Sequence, residues 1–350
     1  MIIENFFDIC IQRGASDLHI IPGFFPTIRI NNHIIQLRVN DIISETDAKN
    51  IIMSLLNDQQ KEILLSNKQL DFAYQYKNYR FRCNAYFTKN NLALAIRLLN
   101  STIKTIEELN LPPIFHKLTE YNQGLVLITG PTGQGKSTSL ASLINKINLE
   151  KNKHIITIED PIEYVYPLGR SIISQRELYQ DTHSWSNALK AVLREDPDVV
   201  LVGEMRDYDS VQLVLTIAET GHLVYSTLHT GTAAETISRI IDIFPADQQT
   251  QIKMQVSSVL KAVISQRLIP TLDNNNRIPA VEVLLNNQAV ATIIREGRFE
   301  LLPNVMATSE TEEMILFEKY LISLLEKNLI TKETAFSYAF RPKELEKLLK

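Results

Sequence analysis

Between Gly124 and Thr227 the chain repeats one pattern: a short, wholly apolar run, a polar loop, then apolar positions at helical spacing. The runs Gly124–Thr129, His154–Ile158, Val199–Gly203 and His222–Thr227 read as buried strands. Segments such as Ser137–Ile147 read as helices between them. Strand and helix in alternation predict an α/β fold with a mainly parallel sheet covered on both faces. The first hundred residues follow another grammar. Ile3–Arg13 and Glu45–Ser66 carry apolar residues at helical spacing, and Ile28–Val39 reads as a strand pair turning at Asn31-Asn32. Phe72–Tyr76, Tyr79–Phe87 and Leu92–Leu98 read as strands, the last two joined by the turn Thr88-Lys-Asn-Asn91. Segment 101–113 contains Pro112-Pro113 and reads as a linker. The expected organisation is a small α+β domain over 1–100 and a larger domain over 114–350. Past Ala246 that larger domain reads as mostly helical, broken by one strand at Ile278–Leu285 after a turn at Asp273–Asn276, with an amphipathic segment at Glu313–Lys327.

Composition narrows the function classes. The 350 residues are 45% hydrophobic and 22% charged, ordinary for globular domains. A net charge of −4 argues against a nucleic-acid binder, whose domain usually carries a basic face. Cys10 and Cys83 are too few for a disulfide framework or a tetrathiolate zinc site, and fit a reduced, cytoplasmic compartment. The acidic first residues, Met1-Ile-Ile-Glu-Asn-Phe-Phe-Asp8, do not resemble a secretory leader, and no apolar run approaches the ~20 residues of a membrane span. Any membrane association is expected to come through partners.

Gly130-Pro131-Thr132-Gly133-Gln134-Gly135-Lys136-Ser137 matches G-x-x-x-x-G-K-[ST] in full, with a strand before it and a helix after. Each residue type has a chemical reason. Glycines let backbone N–H groups turn toward phosphate oxygens, and the helix start adds partial positive charge. Lys136 is placed for the β- and γ-phosphates, and the Ser137 hydroxyl for Mg²⁺. The expected ligand is ATP with Mg²⁺, with Thr138 completing the loop, and no structural metal is expected.

A carboxylate follows the next buried run, Asp198-Val-Val-Leu-Val-Gly-Glu204, where parallel sheets place their ligand sites. Glu204 stands alone there, so it must activate the water. Glu159, Asp160 and Glu163 cluster after another strand, and read either as ligands to Mg²⁺ waters or as a polar loop. His222 and His229 bracket a strand, and their odd spacing argues against one shared metal. His229, at the strand's C-terminal end, reads as a γ-phosphate sensor or as a packed histidine. Arg82 and Arg97 lie on the two strands of one hairpin. A guanidinium suits phosphate, although two surface arginines would look the same.

Taken together these segments resemble the secretion ATPase superfamily, in particular its branch that retracts type IV pili. The resemblance runs over nearly the whole chain: Gly14-Ala-Ser-Asp-Leu-His19, Arg80-Phe-Arg-Cys-Asn84, the phosphate loop, Ile156-Thr-Ile-Glu-Asp-Pro-Ile-Glu163, Leu193–Arg206 and Thr220–Thr230. It implies a PAS-like N-terminal domain, a RecA-like P-loop domain and a homo-hexameric ring. It also implies a motor in which ATP turnover rotates domains, sited at the inner membrane through a platform protein, without nucleic acid. By resemblance Glu204 is the catalytic glutamate, and Glu163 the acid of the aspartate box that also holds Glu159. His222 and His229 are then the histidine-box pair, and Arg82 and Arg97 the arginines supplied to the nucleotide. Ala289–Glu296 departs from the retraction branch's motif, with Ala291 and Thr292 standing where that motif has arginine and asparagine. A type IVB secretion ATPase is therefore a second expectation, and a RecA-like nucleic-acid motor or a non-hydrolysing nucleotide-gated scaffold stands further off.

Overall fold

The computed structural model describes residues 3–30, 33–38, 41–77, 79–99, 102–273 and 276–350. The chain divides into two compact units. One comprises Met1–Thr102 with Pro161–Val165, the other Ile103–Asp160 with Tyr166–Lys350.

The first unit is α+β. Its antiparallel sheet contains β1 (Asp17–Ile20), β2 (Thr27–Ile30), β3 (His33–Gln36), β4 (Gln69–Tyr76), β5 (Tyr79–Thr88) and β6 (Asn91–Leu99), in the order β3-β2-β1-β6-β5-β4. First and last strands are thus neighbours at its centre. Phe6, Phe7, Ile52, Leu64 and Phe81 form the heart of its core, with the Phe7 and Phe81 rings stacked 4.3 Å apart. The helical stretch expected over Glu45–Ser66 is two helices, Glu45–Leu55 and Asp58–Asn67. Asn57 is the reason. Its side chain accepts from the Gln60 N–H while Gln60 reaches back to the Asn57 N–H, a capping box that starts a new helix. The four-residue β1 was not expected from the sequence. The Asn31-Asn32 turn and Val39 lie outside the described residues.

The second unit is α/β. Its sheet contains β7 (Gly124–Thr129), β8 (His154–Glu159), β9 (Ile172–Glu177), β10 (Val199–Val202), β11 (Leu223–Leu228), β12 (Leu260–Pro270) and β13 (Arg277–Leu285). The order is β13-β12-β7-β11-β10-β8-β9, with every neighbouring pair parallel except β12 and β13. All residues of β7, β10 and β11 are buried, which is why those segments read as unbroken apolar runs. Two strands differ from expectation. β9 is a polar edge strand with no apolar run to announce it. β12 lies in the stretch read as helical, because its apolar positions fit both periods until β7 and β13 pair with it. The turn expected between β12 and β13 includes residues 274–275, which lie outside the described residues. The stretch read as a linker belongs to this unit from Ile103 on, and buries Ile106 and Leu111 in its core.

The last helices, including Phe317–Glu326 and Pro342–Leu348, close a smaller core around Phe317, Leu321 and Leu345. Arg341 ties them to the sheet. Its guanidinium meets Glu318 at 2.9 Å and Glu282 of β13 at 3.0 Å, both carboxylates being almost fully buried. Glu282 also accepts from the Ala233 N–H at 2.9 Å. Burial pushes the Glu282 carboxyl above the ordinary carboxylate range, against the Ala233 N–H and the Arg341 charge. Arg341→Ala removes the shared cation and is expected to cost about 3–5 kcal/mol in denaturant unfolding. Arg341 is one of the groups that lowers the Glu282 pKa, so its loss raises that carboxyl further, and the deficit should widen as pH rises above the ordinary carboxylate range.

Candidate nucleotide site

The ends of β7, β8, β10 and β11 share one edge of the sheet, and the loops that follow them meet there. The Gly130 N–H donates to the Leu228 carbonyl at 3.2 Å, setting the start of the phosphate loop beside the end of β11. Gly130 has φ +143°, and a Cβ there would press on the Gln266 carbonyl oxygen of β12. Only glycine meets both conditions. Gln134 clips the loop's far side to the same strand. Its side-chain oxygen accepts from the Leu268 N–H at 2.7 Å, and its carbonyl accepts from Gln266 Nε2 at 2.7 Å. Ser139, on the helix Lys136–Glu150, donates to Gln266 Oε1 at 2.8 Å. The loop is held in shape by protein contacts.

Lys136 is buried, and its ammonium donates to the Gly130 carbonyl at 2.7 Å and the Pro131 carbonyl at 3.0 Å. It also approaches His229 Nδ1 at 3.4 Å, and Thr132 Oγ1 lies 3.5 Å from that same nitrogen. The other ring nitrogen, Nε2, is 3.0 Å from Glu204 Oε1. An ammonium only donates and a carboxylate only accepts. The neutral tautomer with its proton on Nε2 therefore satisfies both neighbours. His229 links the loop lysine to Glu204.

Glu204 follows β10 in a segment pinned from both sides. The Gly203 N–H donates to the Ile158 carbonyl at 2.9 Å, and the Met205 N–H to the Thr227 carbonyl at 3.2 Å. Thr227 Oγ1 donates to the Gly203 carbonyl at 2.6 Å. Arg206 engages the second Glu204 oxygen, with Nε donating to Oε2 at 2.8 Å, while its Nη1 lies 3.9 Å from Asp160. Sequence reasoning missed Arg206 as a partner of the carboxylate, although it stands two residues beyond Glu204 and the signal was present. Glu159, at the end of β8, accepts from Thr157 Oγ1 at 2.7 Å.

The structure gathers Lys136, Thr132, His229, Glu204, Glu159 and Asp160 at this edge, but not His222. His222 lies before β11, a strand of six residues or ~20 Å from the loop, and its Nδ1 meets the Ile217 carbonyl at 3.0 Å. Its expected role at the nucleotide has no support in this unit; the histidine secures the turn after a helix. Glu163, Arg82 and Arg97 belong to the first unit.

The loop fits a polyphosphate. Gly133 and Gly135 have φ of +78° and +79°, and Gly135 starts the following helix without a side-chain cap. Backbone N–H groups, the Lys136 ammonium and the exposed Ser137 hydroxyl form a donor and ligand set matched to phosphate oxygens and Mg²⁺. These features define the class as P-loop nucleotide-binding α/β proteins.

Residues 1–341 match the family of type II/IV secretion system proteins, and the chain belongs to that family. It is 45% identical over 311 residues to the twitching motility protein of Neisseria gonorrhoeae, covering 89% of this chain and 83% of that one. Its fold superposes on the crystal structure of the pilus retraction motor PilT with bound ADP at TM-score 0.92 and 41% identity, covering 99% of both chains. On the ATPase DotB of Legionella pneumophila it superposes at TM-score 0.85 and 27% identity, covering 95% of this chain and 93% of that one.

Lys136→Ala should weaken ATP binding by roughly 10²-fold, since a hydrogen bond to a charged group contributes about 1.5–3 kcal/mol. Titration with a fluorescent ATP analogue measures the loss.

Proposed function

We propose that this chain is a Mg²⁺-dependent ATPase that powers retraction of type IV pili. Membership of the secretion family and likeness to PilT at 41% identity support the class of motor. The contact chain from Lys136 through His229 to Glu204 carries the chemistry. In this reading Lys136 and the loop N–H groups bind the β- and γ-phosphates, and Ser137 ligates Mg²⁺, which neutralises phosphate charge when bound. Glu204 takes a proton from the attacking water. His229, already bonded to Glu204, orients that carboxylate and senses the γ-phosphate. Glu159 and Glu163 of the aspartate box hold waters of the metal shell. Arg82 and Arg97 supply guanidinium groups to the γ-phosphate, where charge develops.

The working form in this proposal is a homo-hexameric ring whose domains rotate as ATP is turned over. The first unit supplies arginines and the second the phosphate loop, so heterologous contacts that close on themselves would join them around the ring. No helix among the described residues is long and apolar enough to cross a membrane. A cytoplasmic motor docked on an inner-membrane platform protein fits that finding, and nucleic acid has no role in it. One observation favours a second reading. Thr292, which replaces an asparagine of the retraction motif, spends its hydroxyl on the Gln288 carbonyl of its own helix at 2.9 Å and accepts from Arg295 at 3.0 Å. A type IVB secretion motor of the DotB kind would share the ATPase chemistry and differ in its partner.

Glu204→Gln keeps the shape but loses the base, so it should retain bound ATP while turnover falls ~10²-fold or more. Parental phosphate release by this variant would assign the base elsewhere. Light scattering with a non-hydrolysable ATP analogue should give a particle of about six subunits; a monomer with full turnover would contradict the ring. Deleting the gene and scoring surface pili, twitching and protein secretion separates the two partners.

A further inference from the structure

The motif Gly14-Ala-Ser-Asp-Leu-His19 has no part in the reading above, yet the sheet of the first unit gives it a definite place. Gly14, at φ +61°, turns the chain out of the helix Ile3–Arg13, and the buried Ala15 returns its N–H to the Cys10 carbonyl at 2.9 Å. Ser16 donates its N–H to the Arg29 carbonyl at 2.8 Å and accepts from the Leu98 N–H at 3.0 Å. These bonds seat Asp17 between β2 and β6.

Register then produces a row of charges. Asp17 lies opposite Arg29 on one side and opposite Arg97 on the other, and Arg97 lies opposite Arg82. Residues directly opposite share a face of the sheet. Three arginines and one aspartate thus stand side by side across four strands. Like charges in directly opposed positions repel, so Arg82 would push the Arg97 head away from a fixed position.

Asp17 opposes that push. Its carboxylate, 12% exposed, accepts from Arg97 Nε at 2.8 Å through Oδ1. Its Oδ2 accepts from Ser16 Oγ at 2.8 Å and lies 3.8 Å from Arg29 Nε. Burial pushes the Asp17 carboxyl up, but the bonds from Ser16 and Arg97 and the charges of Arg97 and His19 outweigh it and hold it below the ordinary range. The carboxylate takes the Nε–H of Arg97 and not the paired Nη groups. Those four N–H donors sit on a side chain that is 67% exposed, in the fork geometry that pairs two oxygens of one phosphate.

We infer that Asp17 is the positioning residue for Arg97: it grips the guanidinium by Nε and presents the Nη pair to the terminal phosphate of ATP. The inference rests on the proposed function, in which Arg97 meets that phosphate. Ser16 serves Asp17, and the backbone turn at Gly14 serves Ser16, which accounts for the first four residues of the motif.

The full-length chain carrying Asp17→Asn, Arg97→Ala or both decides the matter, with kcat, the affinities for ATP and ADP, and a thermal melt measured on each. Asp17→Asn should lower kcat about tenfold, the scale of coupling between contacting residues, and reduce the preference for ATP over ADP. The double variant should be no slower than Arg97→Ala alone, because Asp17 acts through Arg97. Multiplied losses in the double variant would give Asp17 a separate, structural role and overturn the inference. So would parental turnover in Asp17→Asn beside a slow Arg97→Ala. Parental turnover in Arg97→Ala would overturn the reading of the arginine itself, and the inference with it. Should Asp17→Asn melt early, Asp17→Glu decides: it keeps the charge and displaces the carboxylate. Slower turnover with a parental melt supports positioning, and parental turnover refutes it.

Discussion

The site depends on the parallel register of β7, β8, β10 and β11. Parallel strands paired in step all end on one edge, so residues far apart in sequence leave the sheet side by side. The Leu228–Thr129 pairing brings His229 next to the phosphate loop, and the Val202–Ser226 pairing brings Glu204 within reach of His229. The same register sends His222 to the opposite edge. A shift of β11 by two residues would break both contacts at once, because His229 is common to them.

Polar bonds set the edge once the strands have placed it. Lys136 donates to two loop carbonyls and approaches His229, so its charge is held inward even though the loop is largely exposed. Glu204 is gripped through both oxygens, by His229 and Arg206. A carboxylate held this way has a defined direction, and the role proposed for it, a base for an attacking water, needs that orientation. The opposed demands of a cation that only donates and an anion that only accepts select one histidine tautomer between them.

Buried charge appears twice more, and each time it joins elements distant in sequence. Glu282 and Glu318 share Arg341, while Glu282 also receives the N–H of Ala233 at the first turn of the helix that follows the His229 loop. That single carboxylate connects the terminal helices to the rim of the nucleotide site. In the first unit Asp17 gathers arginines from two other strands. Such groups lose their partner contacts sharply when geometry changes, because an unpaired buried charge is costly. They favour discrete arrangements over gradual deformation.

Much of this protein is determined by local sequence. The phosphate loop needs only glycine freedom, a lysine and a following helix, all contiguous from Gly130 to Ser137. Strands β7, β10 and β11 are buried on both faces and therefore appear as apolar runs. Even the opposition of Arg82 and Arg97 follows from a hairpin closing at Thr88–Asn91. Other features exist only through contacts between distant segments. Strand β9 is a polar edge that gains its form from β8, and β12 is a strand because β7 and β13 supply its hydrogen bonds. Asp17 and Arg97 are eighty positions apart, and no periodicity connects them. Local chemistry determined what each segment could become; sheet register, which is set by long-range hydrogen bonds, decided which charges would meet.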